Sequence, residues 1–264
     1  MLLREAPLLS DLFVHLPASA LPSRLPAFLD LGWQPEIALQ TRDLDTLDCG
    51  AAQDLGRQLQ RAGLRCCLHA PFLDLNPASE DLDIRSLARR RFEQTLDFAA
   101  AVGAGHIVFH PGYDPWRYAR SPRAWLENSL IFWLPLVDRA HSLDLTLCLE
   151  NIFEKTPDQL AELLRSLDSP HLRHCFDIGH WHLFSRTSLA QWFEQLGPFL
   201  SHLHLHDNRG RGDDHRPIGK GKIDFEAFFT AIDNLGVQPT ATLEAHNHKD
   251  ALASLKALDA LLVR

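Results

Sequence analysis

Eight times along the chain, a short apolar run is followed by a longer stretch whose apolar residues recur every three or four positions. The short runs suit strands, and the three-and-four spacing lays one face of a helix against a core. The strand-like runs are 11–16, 36–40, 64–70, 106–110, 145–150, 174–178, the histidine run beginning at Ser201, and 240–245. Helical patterning covers 21–32, 51–63, 81–103, 122–141, 157–167, 188–196, 225–235 and 250–263. Thr156 before Pro157 predicts an N-cap followed by proline at the first helical position, and Asp224 predicts the cap of the helix starting at Phe225. No Pro-, Gly- or Ser-rich linker divides the 264 residues. The alternation therefore predicts one α/β domain over 1–264, a closed (β/α)8 TIM barrel. A doubly wound open sheet is the alternative, but the glycine-rich phosphate turn it wants after its first strand is absent.

The segment 201–221, SHLHLHDNRGRGDDHRPIGKG, begins as a strand with His202, His204 and His206 on one face. Each buried imidazole needs hydrogen-bond partners, so three of them make a costly apolar core. Neutral imidazole and carboxylate together suit zinc and its neighbours. The other late strands end in the same chemistry, at His69, His110, Glu150, Asp177 (with His180 three residues on) and Glu244. In a barrel, such positions face the mouth. Two residues back lie Cys67, Val108, Cys148, Cys175, His202 and Thr242, most of them small enough for a barrel interior. The intervening Leu68, Leu149, Phe176 and Leu243 should point outward to the helices. Carboxylates crowded at one mouth repel one another unless a cation sits among them.

Composition narrows the partners. A formal net charge of -8 gives no bulk attraction to a polyanion. No apolar run approaches the roughly 18 residues of a membrane-spanning helix, so no membrane partner is expected. The start, MLLREAPLLSDLF, carries early charges and no uninterrupted apolar segment, so a signal peptide is not expected either. Five cysteines without disulfide-like spacing predict a reducing, cytoplasmic setting, and adjacent Cys66 and Cys67 do not form a CxxC redox pair.

The strings LHAPF, FHPG, LEN, FDIGH, HLHLHDN, DDHRPIGKG and LEAH, from Leu68 to His246, resemble the motifs of the xylose isomerase-like TIM barrels. That superfamily holds sugar and sugar-phosphate isomerases and epimerases together with apurinic endonuclease IV. The resemblance implies a divalent metal held by Glu150, Asp177, His204 and Glu244, with His206 as the alternative to His204. His204 is favoured because His-Leu-x-Asp at 204–207 matches the family string. The endonuclease branch has further ligands, and the matching positions here are His69 and His110 beside Glu150, and His180 with Asp213 and His215. One to three ions per chain follow, Zn, Mn, Mg or Co.

Two reactions fit. The leading expectation is a sugar or sugar-phosphate isomerase or epimerase, in which Glu150 and Glu244 move a proton while His180 and Arg209 or Arg211 orient the sugar. The alternative is an endonuclease IV-like phosphodiesterase acting at abasic sites in DNA, in which Glu150 bridges two zinc ions and cannot also be a free base. Phe72 falls where the endonucleases place an aromatic residue near DNA. The loop 113–123, YDPWRYARSPR, is expected to carry Trp116 and Tyr118 as an apolar lid over a small sugar, with contact to nucleic acid as the alternative. Lys220 and Lys222 are expected to be surface charges, and a homo-oligomer is compatible with the sequence. A metal-bearing scaffold without turnover would be expected to lack one of the paired glutamates, and both are present.

Overall fold

Runs of three to seven residues that alternate inward and outward side chains become strands, and the computed structural model describes residues 9–46 and 48–262. Its strands are β1 (Asp11–Pro17), β2 (Gln34–Ala38), β3 (Cys67–His69), β4 (His106–Phe109), β5 (Thr146–Glu150), β6 (Leu172–Asp177), β7 (Leu200–Leu205) and β8 (Thr240–Leu243). They pair in parallel in chain order, and β8 closes on β1. Around this single (β/α)8 TIM barrel run α1 (Leu21–Leu31), α2 (Thr41–Leu44), α3 (Cys49–Arg61), α4 (Leu82–Val102), α5 (Pro115–Tyr118), α6 (Pro122–Ser142), α7 (Asp158–Leu167), α8 (Ile178–Phe184), α9 (Leu189–Leu196), α10 (Phe225–Leu235) and α11 (His248–Leu262). No described helix is long and apolar enough to cross a membrane. The predicted end of the last helix at Val263 lies outside the described residues.

The inward and outward phases follow the alternation. Val108, Cys148 and Cys175 pack together inside the barrel, while Leu68, Leu149, Phe176 and Leu243 belong to the larger core between sheet and helices. Phe176 reaches Phe193 at 4.8 Å and Phe228 at 5.7 Å between ring centroids. All five cysteines are free, and burial explains Cys66, Cys67, Cys148 and Cys175.

Local caps decide where the helices start, and one differs from expectation. Asp224 accepts from the Ala227 amide at 2.9 Å, as predicted. Pro157, not Thr156, occupies the N-cap of α7, and the Thr156 hydroxyl instead donates to Asp158 at 2.8 Å. Three short helices escape the sequence pattern because one or two turns carry no periodicity. Of these, α5 is capped by Asp114, and α8 is capped by Asp177, which accepts from the His180 amide at 2.6 Å.

One buried histidine outside the barrel mouth makes a stability prediction. His174 is fully buried, its Nδ1 pairing with the Leu149 carbonyl at 2.9 Å while the Trp192 indole donates to its Nε2 at 3.4 Å. Burial pushes its pKa from 6.5 down to about 4, so the fold holds it neutral. The unfolded chain takes up that proton first. The stabilisation is present above about pH 6.5 and drains away toward pH 4, on the order of 3 kcal/mol in all. Urea unfolding from pH 7 to pH 4.5 should show the native chain losing stability faster than His174→Gln. Parallel losses would remove the assignment.

A candidate metal centre at the barrel mouth

The carboxyl ends of the strands deliver the donors. His69 and Glu150 close β3 and β5, Asp177 closes β6, and His110, His206 and Glu244 are the first residues beyond β4, β7 and β8. His204 is the penultimate residue of β7, and His180 sits in the first turn of α8. The loop after β7 brings Asp213 and His215 over the mouth, and Asp207 sets its shape. The Asp207 carboxylate accepts backbone N–H groups from Gly221 at 2.6 Å, Lys222 at 3.1 Å and Ile223 at 3.2 Å, and its backbone bridges to Arg216. A side chain at Gly221 would overlap that carboxylate, which explains the glycine. His215 takes a left-handed φ of 44°, a strained conformation held by ring stacking on His206 (4.0 Å) and His246 (4.8 Å).

Three donor sets result, and Glu150, 1% exposed, joins two of them. Its Oε2 lies 3.3 Å from His69 Nε2 and 3.3 Å from His110 Nε2. Its Oε1 lies 3.3 Å from His204 Nδ1 and 3.1 Å from His180 Nδ1. His204 Nδ1 also faces Glu244 at 3.4 Å and Asp177 at 3.8 Å, completing the second set. The third set is held by Asp213 Oδ2, 3.3 Å from His180 Nε2 and 3.0 Å from His215 Nε2. His206 lies between the last two sets, with Nε2 3.1 Å from Asp177 and Nδ1 3.7 Å from Asp213. Thus His204 and His206 both face the cluster, and His204 is the one directed at Glu150.

Electrostatics couples these groups tightly. Burial works to raise Glu150, but the charges of His204 and His110 hold it well below the carboxylate range. Glu244 sits at about 2 for the same reason, burial being overridden by His204 and His215. Burial opposes charge on His180, yet Asp177, Asp213 and Glu150 keep its pKa well above normal. His215 is likewise lifted to about 9 against burial by Glu244 and Asp213.

The buried carboxylates thus draw positive charge to the mouth, which a divalent ion would bring. The donor sets fit such an ion. His204 Nδ1, His206 Nδ1 and Glu244 Oε2 are buried without a hydrogen-bond partner and belong to the cluster. Ligand atoms of His69, His110 and Glu150 lie within 4.8 Å of one another, as do those of Asp177, His180 and His206, and of His206, Asp213 and His215. Nitrogen and carboxylate oxygen in this mixture suit zinc and related ions.

Two buried residues escaped the sequence reading. Glu36 of β2 is fully buried, and its Oε2 lies 3.3 Å from both His204 Nε2 and His202 Nε2 and accepts from Thr242 Oγ1 at 2.8 Å. With Nε2–H directed at Glu36, His204 would present its Nδ1 lone pair to a bound ion. Glu36 lies level with Cys67 in the sheet register, so the inward phase of β2 was its signal. Glu154, 2% exposed, accepts from the Ile152 amide at 2.6 Å, leaves Oε1 without a partner, and is raised by burial to about 7.

Gly179 makes room for this packing, because a methyl group there would overlap the His206 ring. Gly179→Ala should displace His206 and cost about 1–3 kcal/mol by overpacking. Thermal melts of the two chains check this, and equal midpoints would contradict the close approach of ring and backbone.

The expected substrate contacts separate. Phe72, 43% exposed, stacks on His110 with centroids 4.1 Å apart, which puts it at the rim. Trp116 is 90% exposed on α5. Tyr118 is not a lid: it is buried, packs on Tyr113, and receives a hydrogen bond from Asn76 at 2.9 Å. Arg209 and Arg211 are exposed, and among the described residues their side chains make no hydrogen bond or ion pair with the donor sets. Lys220 and Lys222 are exposed, as expected.

The same architecture recurs in known proteins. A D-tagatose 3-epimerase-like protein superposes with a TM-score of 0.83 at 26% identity, over 96% of this chain and 97% of that one. The TTHB071 protein of Thermus thermophilus, from a ZnCl2 soak, gives 0.80 at 32% identity, over 95% and 97%. A probable endonuclease 4 of Mycobacterium leprae is 26% identical over 212 residues, 75% of this chain and 80% of that protein. The family model described as xylose isomerase-like TIM barrel matches residues 31–261, and the chain belongs to that family.

Proposed function

We propose that this chain is a metal-dependent phosphodiesterase whose centre holds more than one divalent ion, zinc foremost. The observation carrying this is the division of Glu150, one oxygen toward His69 and His110 and the other toward His180 and His204. A single-ion isomerase needs one four-residue set and leaves the other donors without a purpose. His69, His110 and Glu150 would hold one ion; Glu150, Asp177, His204 and Glu244 a second; and His180, Asp213 and His215 a third, with His206 beside it. When bound, such ions activate water and stabilise charge on phosphoryl oxygens. With both oxygens engaged, Glu150 is not free to shuttle a proton. Glu154 stands outside all three sets, and its carboxyl keeps a proton up to about pH 7. Phe72 stacks over one face of His110 at that side of the mouth.

The epimerase reading has two supporting observations: the likeness to the D-tagatose 3-epimerase-like protein, and Glu150 and Glu244 flanking His204 Nδ1 at 3.3 and 3.4 Å, as a proton-transfer pair around one ion would. Protein purified without chelator separates the two. Hydrolysis of bis(p-nitrophenyl) phosphate, lost on chelation and restored by zinc, is the expected result. Deuterium entering a ketose from solvent, without diester cleavage, would overturn it in favour of the epimerase.

A further inference from the structure

Beside the centre lies a groove of about 720 Å3 whose lining includes Trp116, Phe153, Phe184, Arg120, Lys155 and Asp114. Phe184 is the wall shared with the donor sets, its ring 6.4 Å from His180 and 5.1 Å from Phe153. Trp116 and Phe153 leave large apolar faces in water, at 90% and 43% exposure. An exposed apolar cluster rimmed by charge marks a binding surface. The cations divide into two kinds. Arg117 pairs with Asp114 at 3.7 Å and Arg123 with Glu127 at 2.8 Å, whereas the side chains of Arg120 and Lys155 have no ion-pair or hydrogen-bond partner among the described residues. Two uncompensated cations share one cavity in a chain of net charge -8.

We propose that this groove is a subsite for a nucleotide-like unit of a small phosphodiester: a flat ring against Trp116 and Phe153, and a flanking phosphate on Arg120 and Lys155. Aromatic faces stack any planar base, and guanidinium and ammonium groups meet phosphate oxygens with charge-assisted hydrogen bonds. A free monosaccharide supplies no anion, and a long duplex would meet the acidic body of the chain. The assignment rests on the phosphodiesterase reading, with the scissile phosphate at the donor sets and the flanking unit in the groove.

The test is calorimetric binding of thymidine 5′-monophosphate, thymidine and inorganic phosphate to metal-loaded protein, to the double variant Arg120→Ala/Lys155→Ala, and to Trp116→Ala. The monophosphate should bind about tenfold tighter than phosphate. Trp116→Ala should lose about that factor for the monophosphate while binding phosphate unchanged, whereas the double variant should weaken the monophosphate and phosphate alike. A monophosphate no tighter than phosphate, or affinity unaltered in both variants, would overturn the proposal. A duplex oligonucleotide binding tighter still, and weakened by the same variants, would make the groove a nucleic-acid track and equally overturn the small-ligand assignment. Hydrolysis of bis(p-nitrophenyl) phosphate reports separately on the centre, so failure of the groove and failure of the phosphodiesterase reading leave different signatures.

Discussion

Glu150→Gln should lower diester hydrolysis by about a thousandfold or more and empty two donor sets at once. An amide keeps the shape of the side chain but offers one weak oxygen in place of two charged ones. Both His69 with His110 and His204 with Asp177 and Glu244 then lose the shared carboxylate. The companion change Glu244→Gln reaches His204 of the second set and His215 of the third, but neither His69 nor His110, and should leave the metal between those two in place. Metal content by elemental analysis, measured alongside turnover, checks the pair. If Glu150→Gln and Glu244→Gln lose the same single ion, Glu150 does not bridge.

The second large effect is expected at Glu36, which touches no substrate and acts through His204. Glu36→Gln should weaken metal binding by about 10–100-fold, the usual cost of losing a carboxylate behind a ligating histidine. One amide cannot replace a carboxylate that meets His204, His202 and Thr242 together. Zinc affinity by competition with a chelator gives the magnitude, and nitrogen-15 NMR of the His204 ring reports the tautomer. Wild-type affinity with an altered tautomer, or an unaltered tautomer with reduced affinity, would each break the link from Glu36 to the metal.

Most of the donor set was legible because barrel strands impose a period of two, and His69, His110, Glu150, Asp177 and His204 each stand at or near a strand end in the predicted phase. Glu36 stood in the inward phase of β2, but its role depends on a contact with a residue 168 positions away, which the strand pattern alone does not give. His206 lies beyond the last hydrogen-bonded residue of β7, where strand parity no longer says whether it competes with His204 or joins it. Tyr118 looked like a lid because it stands in an aromatic and basic loop, and its bond to Asn76 across 42 residues and its packing on Tyr113 place it inside. Thr156 fits a cap by composition, but its hydroxyl found Asp158 instead.

Anomalous diffraction at the zinc edge, on crystals grown from chelator-free protein with zinc present, bears on the centre most directly. Two or three peaks are expected, one of them on each side of the Glu150 carboxylate. A single peak, or none within reach of Glu150, would contradict the multinuclear centre.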